Sequence, residues 1–151
     1  VTAMDISNDA LTTAKENAFI NGFEKKIEFV QADVFDYLPQ VESLKPAPYD
    51  FIILDPPAFT KSRKTTLDAV RGYTEINSRA MKALPRGGYL ATCSCSHFME
   101  EKMFVKMLKN ASEYAGVSLR LIKACAQSPD HPELMSVPET KYLKFYLLQI
   151  T

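Results

Sequence analysis

An α/β fold, with a mostly parallel sheet and helices on both faces, is predicted by three observations on this 151-residue sequence. Apolar runs of strand length alternate with segments of helical period, and turn residues punctuate the junctions. The last two apolar runs are separated only by a polar, Pro-containing stretch, which predicts an antiparallel pair at the end of the sheet. Six strands and three longer helices are expected.

Val1 to Met4 reads as the first strand, ending at Asp5, and a helix follows from about Ser7 with Ala10, Leu11, Ala14 and Ala18 on one face. Gly22 supplies its stop. Ile27 to Ala32 is the second strand and ends at Asp33; a short turn or helix then leads into the linker "QVESLKPAP". Tyr49 to Asp55 is the third, closed by Pro56 and Pro57, which cannot extend a ladder. From Leu67 to Leu84 the residues Leu67, Val70, Tyr73, Ile76, Ala80, Met81 and Leu84 keep helical spacing, and "PRGG" ends the element before the strand "YLATCS". Glu100 to Ala115 is the third long helix, with Gly116 as its stop, and "VSLRLIKA" and "KYLKFYLLQI" are the final strands.

With 46% hydrophobic residues the chain can build one ordinary core. Eighteen basic and eighteen acidic side chains give zero formal charge, so a nucleic-acid partner would need a local basic patch rather than bulk attraction. Three cysteines, an odd number with no leader peptide, suit a reducing cytoplasm, and no apolar run has the length of a membrane span. The chain opens directly in a strand without a Met start, which fits part of something longer.

In an open α/β sheet the ligand crevice lies beyond the carboxyl ends of the strands, where Asp5, Asp33 and Asp55 would gather. Such acids can accept hydrogen bonds from a ribose diol or an exocyclic amine, although strand-end aspartates also serve simply to cap turns and helices. Metal binding by the three lacks a supporting spacing. "TCSCSH", Thr92 to His97, is open at this level to four readings: a zinc site with Cys125 and His131, a disulfide, a buried strand end, or a catalytic thiolate.

Six segments narrow the choice: "AMDIS", "QADVFDYL", "FIILDPPAFTKSRK", "RGYTEIN", "GGYLATCSCSHF" and "DHPELMSVPETKYLK". In this order they resemble the class I S-adenosylmethionine-dependent 23S rRNA methyltransferases that make 5-methylcytosine. The resemblance implies a Rossmann-like catalytic domain over residues 1–151, lacking the family's N-terminal RNA-binding domain, first strand and glycine-rich loop. It also implies weak or no cofactor binding by this chain alone, and self-association through an exposed sheet edge into a homodimer.

For the cofactor S-adenosylmethionine, the resemblance implies Asp5 with Ile6 at the ribose, Asp33 with Val34 at the adenine, and Asp55 at the reacting end. For the RNA it implies a target-base pocket at "DPPAF". Pro56 and Pro57 would make that loop stiff, Phe59 would offer a face for a flipped base, and Lys61, Arg63, Lys64 and Arg71 would meet phosphates. His131 matches a family motif near the active face, with a structural role equally open.

Cytosine C5 is a poor nucleophile until a thiolate adds at C6. The resemblance assigns that thiolate to Cys95, with Asp55 assisting at the N3 or amino edge of the base. Cys93 would share a side of a regular strand with Cys95, deeper from the mouth, as a packed thiol. Two other functions stay in view. An RNA methyltransferase acting on an exocyclic amine of guanine or adenine would not need the cysteine, and a non-catalytic RNA-binding or assembly module would leave no methyl mark.

Overall fold

The computed structural model describes residues 1–59 and 66–151, in two compact units. The first, Val1–Gln40, is a βαβ unit. Strands β1 (Thr2–Asp5) and β2 (Glu28–Gln31) pair in parallel, Thr2 opposite Glu28 and Asp5 opposite Gln31. Between them helix α1 (Asn8–Ile20) buries Leu11 and Ala18, two of the four positions of the expected apolar face. Its start is fixed by Ser7, whose side-chain oxygen accepts from the Ala10 N–H at 3.2 Å. Gly22, at φ +70°, ends it as expected.

Helix α2 (Val34–Ser43) carries the chain from the first unit into the second. It has ten residues and holds Pro39 in its interior, so it is more than the turn or short helix foreseen. Asp33 begins it: its carbonyl accepts from the Tyr37 N–H at 2.9 Å and its carboxylate from the Phe35 N–H at 2.8 Å. The side chain thus satisfies a donor that the first turn would otherwise leave unpaired.

The second unit, Val41–Thr151, contains a four-stranded sheet in the order β3-β4-β6-β5. Strands β3 (Phe51–Leu54) and β4 (Tyr89–Ser94) are parallel, while β6 (Lys144–Ile150) runs antiparallel to both β4 and β5 (Leu119–Cys125). The final strands pair as expected, and the last in sequence lies between β4 and β5. Helices α3 (Thr66–Ala83) and α4 (Glu101–Ala115) pack against each other.

The core of this unit holds Tyr73, Ile76, Met81, Leu90, Phe104, Met107 and Ile150, all essentially inaccessible to solvent. Leu67, expected on the inner face of α3, is 75% exposed; Thr66, Ala69 and Tyr73 line the buried side instead. Gly88 has a steric reason, since a Cβ there would stand 2.9 Å from the Pro85 carbonyl oxygen at the entry to β4. Among the described residues, no helix is long and apolar enough to cross a membrane.

Candidate active site

The strand-end aspartates do not share one geometry. Asp5 is the last residue of β1, whereas Asp33 follows β2 by two residues and Asp55 follows β3 by one. Parallel pairing of β1 and β2 brings Asp5 and Asp33 to neighbouring strand ends, joined by the Ala32 N–H donating to the Asp5 carbonyl at 3.2 Å. The Asp5 carboxylate accepts from the Ser7 N–H at 2.7 Å. Each of these carboxylates therefore commits one oxygen to a backbone N–H two residues on and has a second to offer. Ile6, 66% exposed, and the half-buried Val34 follow them directly.

In the second unit the parallel register sets Leu54 opposite Thr92, so Asp55 and Cys95 both leave the sheet at the carboxyl ends of adjacent strands. Regular alternation does not reach Cys95. Strand β4 stops at Ser94, which leaves Cys93 buried and Cys95 exposed, rather than both on one side of a continuous strand. Burial, then the neighbouring charges of Asp55 and Cys95, push the Cys93 thiol up to about 11. Such a thiol is protonated at neutral pH and behaves as packing.

The DPPAF loop is anchored by an aromatic pair. The Phe59 ring lies 4.6 Å, centroid to centroid, from that of Tyr73, and a Cβ on Gly72 would come within 3.3 Å of it. Tyr73 is fully buried; its phenolic oxygen accepts from the Ser94 hydroxyl at 3.1 Å and also hydrogen-bonds the Phe59 backbone. One hydroxyl thus ties the loop after β3, helix α3 and the end of β4. Burial raises the Tyr73 pKa, so the phenol remains neutral.

Lys144 opens β6 opposite Ser94 and is only 7% exposed. Its Nζ donates to the Ser96 carbonyl at 2.6 Å and to the Tyr142 carbonyl at 2.7 Å. Burial lowers it to about 8, against the opposing pull of Cys95 and Glu101. Neither Tyr73 nor Lys144 emerges from the sequence as a site residue. A lysine in the alternating "LKFYLL" gives no sign of burial until Ser96, 48 residues away, is placed over it.

Other expected positions are more peripheral. The proline pair Pro56 and Pro57 stands between Asp55 and Phe59, the first half-buried and the second exposed. Arg71 is on α3 with its side chain 83% exposed, in a 3.4 Å contact with Asp68 that leaves it open to solvent. Lys61, Arg63 and Lys64 lie outside the described residues. His131 is exposed, 3.8 Å from Asp130, in the segment between β5 and β6. A cleft lined by Asp50, Phe51, Gly87 and Gly88 lies at the opposite ends of β3 and β4 from Asp55 and Cys95.

Comparison with known proteins bears on the family and the fold. A family model described as a methyltransferase domain matches residues 1–144. The chain is 40% identical over 151 residues to the ribosomal RNA large subunit methyltransferase I of Pseudoalteromonas atlantica, covering 99% of this chain and 38% of the relative. It is 38% identical over 149 residues to the protein of the same name from Vibrio vulnificus, covering 97% and 37%. The chain thus spans well under half the length of these relatives. Among solved structures, a Streptococcus mutans protein described as a SAM-dependent methyltransferase superposes with a TM-score of 0.82 at 19% identity, covering 98% of this chain and 38% of that one. The O-methyltransferase of Bacillus cereus, in complex with SAH, superposes with a TM-score of 0.62 at 16% identity, covering 100% and 62%.

Proposed function

Because this chain belongs to the methyltransferase-domain family and has the class I methyltransferase fold, we propose that it carries catalytic machinery for S-adenosylmethionine-dependent methylation of ribosomal RNA, at C5 of a cytosine in 23S rRNA. The rRNA assignment leans on the relatives named ribosomal RNA large subunit methyltransferase I. The C5 assignment leans on one observation in this chain: an exposed cysteine, Cys95, just past the end of β4 and beside Asp55, with its neighbour Cys93 buried.

The residues of the first unit fit the cofactor. Asp5 and Asp33 sit at adjacent strand ends with their carboxylates already oriented by the Ser7 and Phe35 N–H groups. Their remaining oxygens suit a ribose diol and the polar edge of an adenine, and Ile6 and Val34 offer apolar surface alongside. S-adenosylmethionine supplies an electrophilic methyl group on its sulfonium.

In this reading the Cys95 thiolate would add to C6 of the cytosine and make C5 nucleophilic; the C5–methyl bond would form as the methyl–sulfur bond breaks, its electron pair staying on the departing thioether sulfur. A base then removes the C5 proton, and the electron pair of that bond expels Cys95 and restores the ring. Asp55 contacts the N3 or amino edge of the base and assists addition. Phe59, held by Tyr73, supplies the stacking face, and Pro56 and Pro57 keep the loop from collapsing between turnovers. Arg71 contributes a phosphate contact, as do Lys61 and Lys64.

Mass spectrometry of 23S rRNA from cells whose gene carries Cys95→Ala tests this. The expected result is loss of one 5-methylcytosine; its retention would refute the covalent route through Cys95, whereas a gene-dependent N-methylated guanine or adenine that survives Cys95→Ala would favour an exocyclic amine as the target.

A further inference from the structure

Strand β6 alternates buried and half-buried positions along its length, and the first inward position is occupied by Lys144. An ammonium withdrawn from water is costly unless its surroundings return what hydration supplied. Here two carbonyls do so in part, those of Ser96 and Tyr142. Among the described residues no carboxylate oxygen lies within ion-pair distance of it. Glu101 lies in its electrostatic neighbourhood but accepts from the Tyr146 hydroxyl at 2.9 Å. The other negative group within reach of the Lys144 charge is Cys95.

We propose that Lys144 is a positioning residue for Cys95: by tethering the Ser96 and Tyr142 carbonyls it fixes the turn that presents the thiol, and it sets a positive charge beside the sulfur. The Ser96 carbonyl belongs to the residue following the thiol, so the 2.6 Å contact acts directly on the backbone that aims Sγ. Strand β4 cannot do this alone, because its ladder with β6 ends at the Ser94–Lys144 pair. Beyond that pair, the lysine side chain extends the connection between the two strands.

The charge acts against several acidic groups. Asp55 beyond β3, Cys93 on β4 and Tyr73 on α3 all lie within electrostatic reach of the site, and their anionic forms disfavour a thiolate. His97, two residues along, and Glu101 on α4 are the other titratable neighbours. Lys144 offsets the acids from the side of β6. The inference rests on the proposed role of Cys95 for its use in catalysis, but its test needs neither RNA nor cofactor, so either can fail without the other.

The pH dependence of Cys95 alkylation by iodoacetamide, resolved by peptide mass spectrometry, reads the thiol directly. In Lys144→Met the midpoint is expected to rise, with Lys144→Arg closer to the unsubstituted protein. An unchanged midpoint in folded Lys144→Met overturns the proposal. Should Lys144→Met not fold, the reciprocal measurement decides: in Cys95→Ser, a change at an exposed position, the NMR-detected titration of the Lys144 side chain should move to lower pH. A Lys144 midpoint unaffected by Cys95→Ser overturns it equally. A purely structural lysine would change thermal stability and move neither midpoint.

Discussion

The contrast between Cys93 and Cys95 leads to a quantitative expectation about alkylation. With its thiol pushed up to about 11, Cys93 has roughly one part in a thousand in the reactive thiolate form at pH 8. An ordinary thiol of pKa near 8.5 has about a quarter. Ionisation alone therefore slows Cys93 by about two orders of magnitude relative to an unperturbed cysteine, and burial slows it further. Exposed Cys125 is an internal reference in the same molecule. The assay is a time course of iodoacetamide labelling at pH 8 on the native protein, quantified peptide by peptide, with a guanidinium-denatured control in which all three cysteines label alike. Cys95 and Cys125 should label while Cys93 stays protected. Native labelling of Cys93 within about fivefold of Cys125 would refute the burial argument, and with it the division of labour between the two cysteines.

Other expectations concern the supports of the site. Tyr73→Phe leaves the Ser94 hydroxyl without its phenolic acceptor in a fully buried setting; it should cost about 1–3 kcal/mol in urea unfolding and loosen the DPPAF loop. Asp33→Ala should destabilise α2 by about 1 kcal/mol through loss of the cap to Phe35, while Asp33→Asn keeps the cap and loses only the charge. Calorimetry with S-adenosylmethionine on the intact protein should therefore separate the two roles, with weakened binding in both variants. Gly72→Ala should leave thermal stability unchanged or slightly raised, because alanine favours the helix, yet lower kcat/KM by shifting the Phe59 ring. Cys93 and Lys144 also give opposite pH slopes. The raised thiol contributes stability that is lost as pH rises from about 9 through 11, whereas the depressed lysine makes the fold gain stability between about 8 and 10.5, readable as opposite changes in the alkaline unfolding curve when each is substituted.

The sequence made the framework legible where local signals and tertiary packing agree. Ser7 and Gly22 bound α1, Gly116 in the left-handed region ends α4, and "YLATCS" is β4 residue for residue. Asp5 and Asp55 were readable as candidate site residues because strand ends are where such side chains escape the core, whereas Cys95 was singled out only by the family resemblance. Several features depended on distant partners. Pro39 argues against a helix, and α2 forms around it nonetheless, with Leu38 and Val41 buried. Leu67 has the right spacing for the inner face of α3 but sits in its exposed first turn. The Tyr73 hydroxyl and the Lys144 ammonium gain meaning only from Ser94 and Ser96, each brought near by strand pairing that no short window of sequence encodes.

The placement of β6 between β4 and β5 also has a kinetic consequence. The turn holding Cys95 is tied to a residue 48 positions further along the chain, and contacts so far apart in sequence form late, after loop-closure entropy has been met. Late docking of β6 predicts that Cys93 is open to alkylation early in refolding and protected once the sheet closes, while Cys95 stays exposed throughout. A pulse of alkylating reagent during refolding would therefore time the closure of this sheet, because protection of Cys93 marks the moment at which the protein acquires a single reactive sulfur at the end of β4.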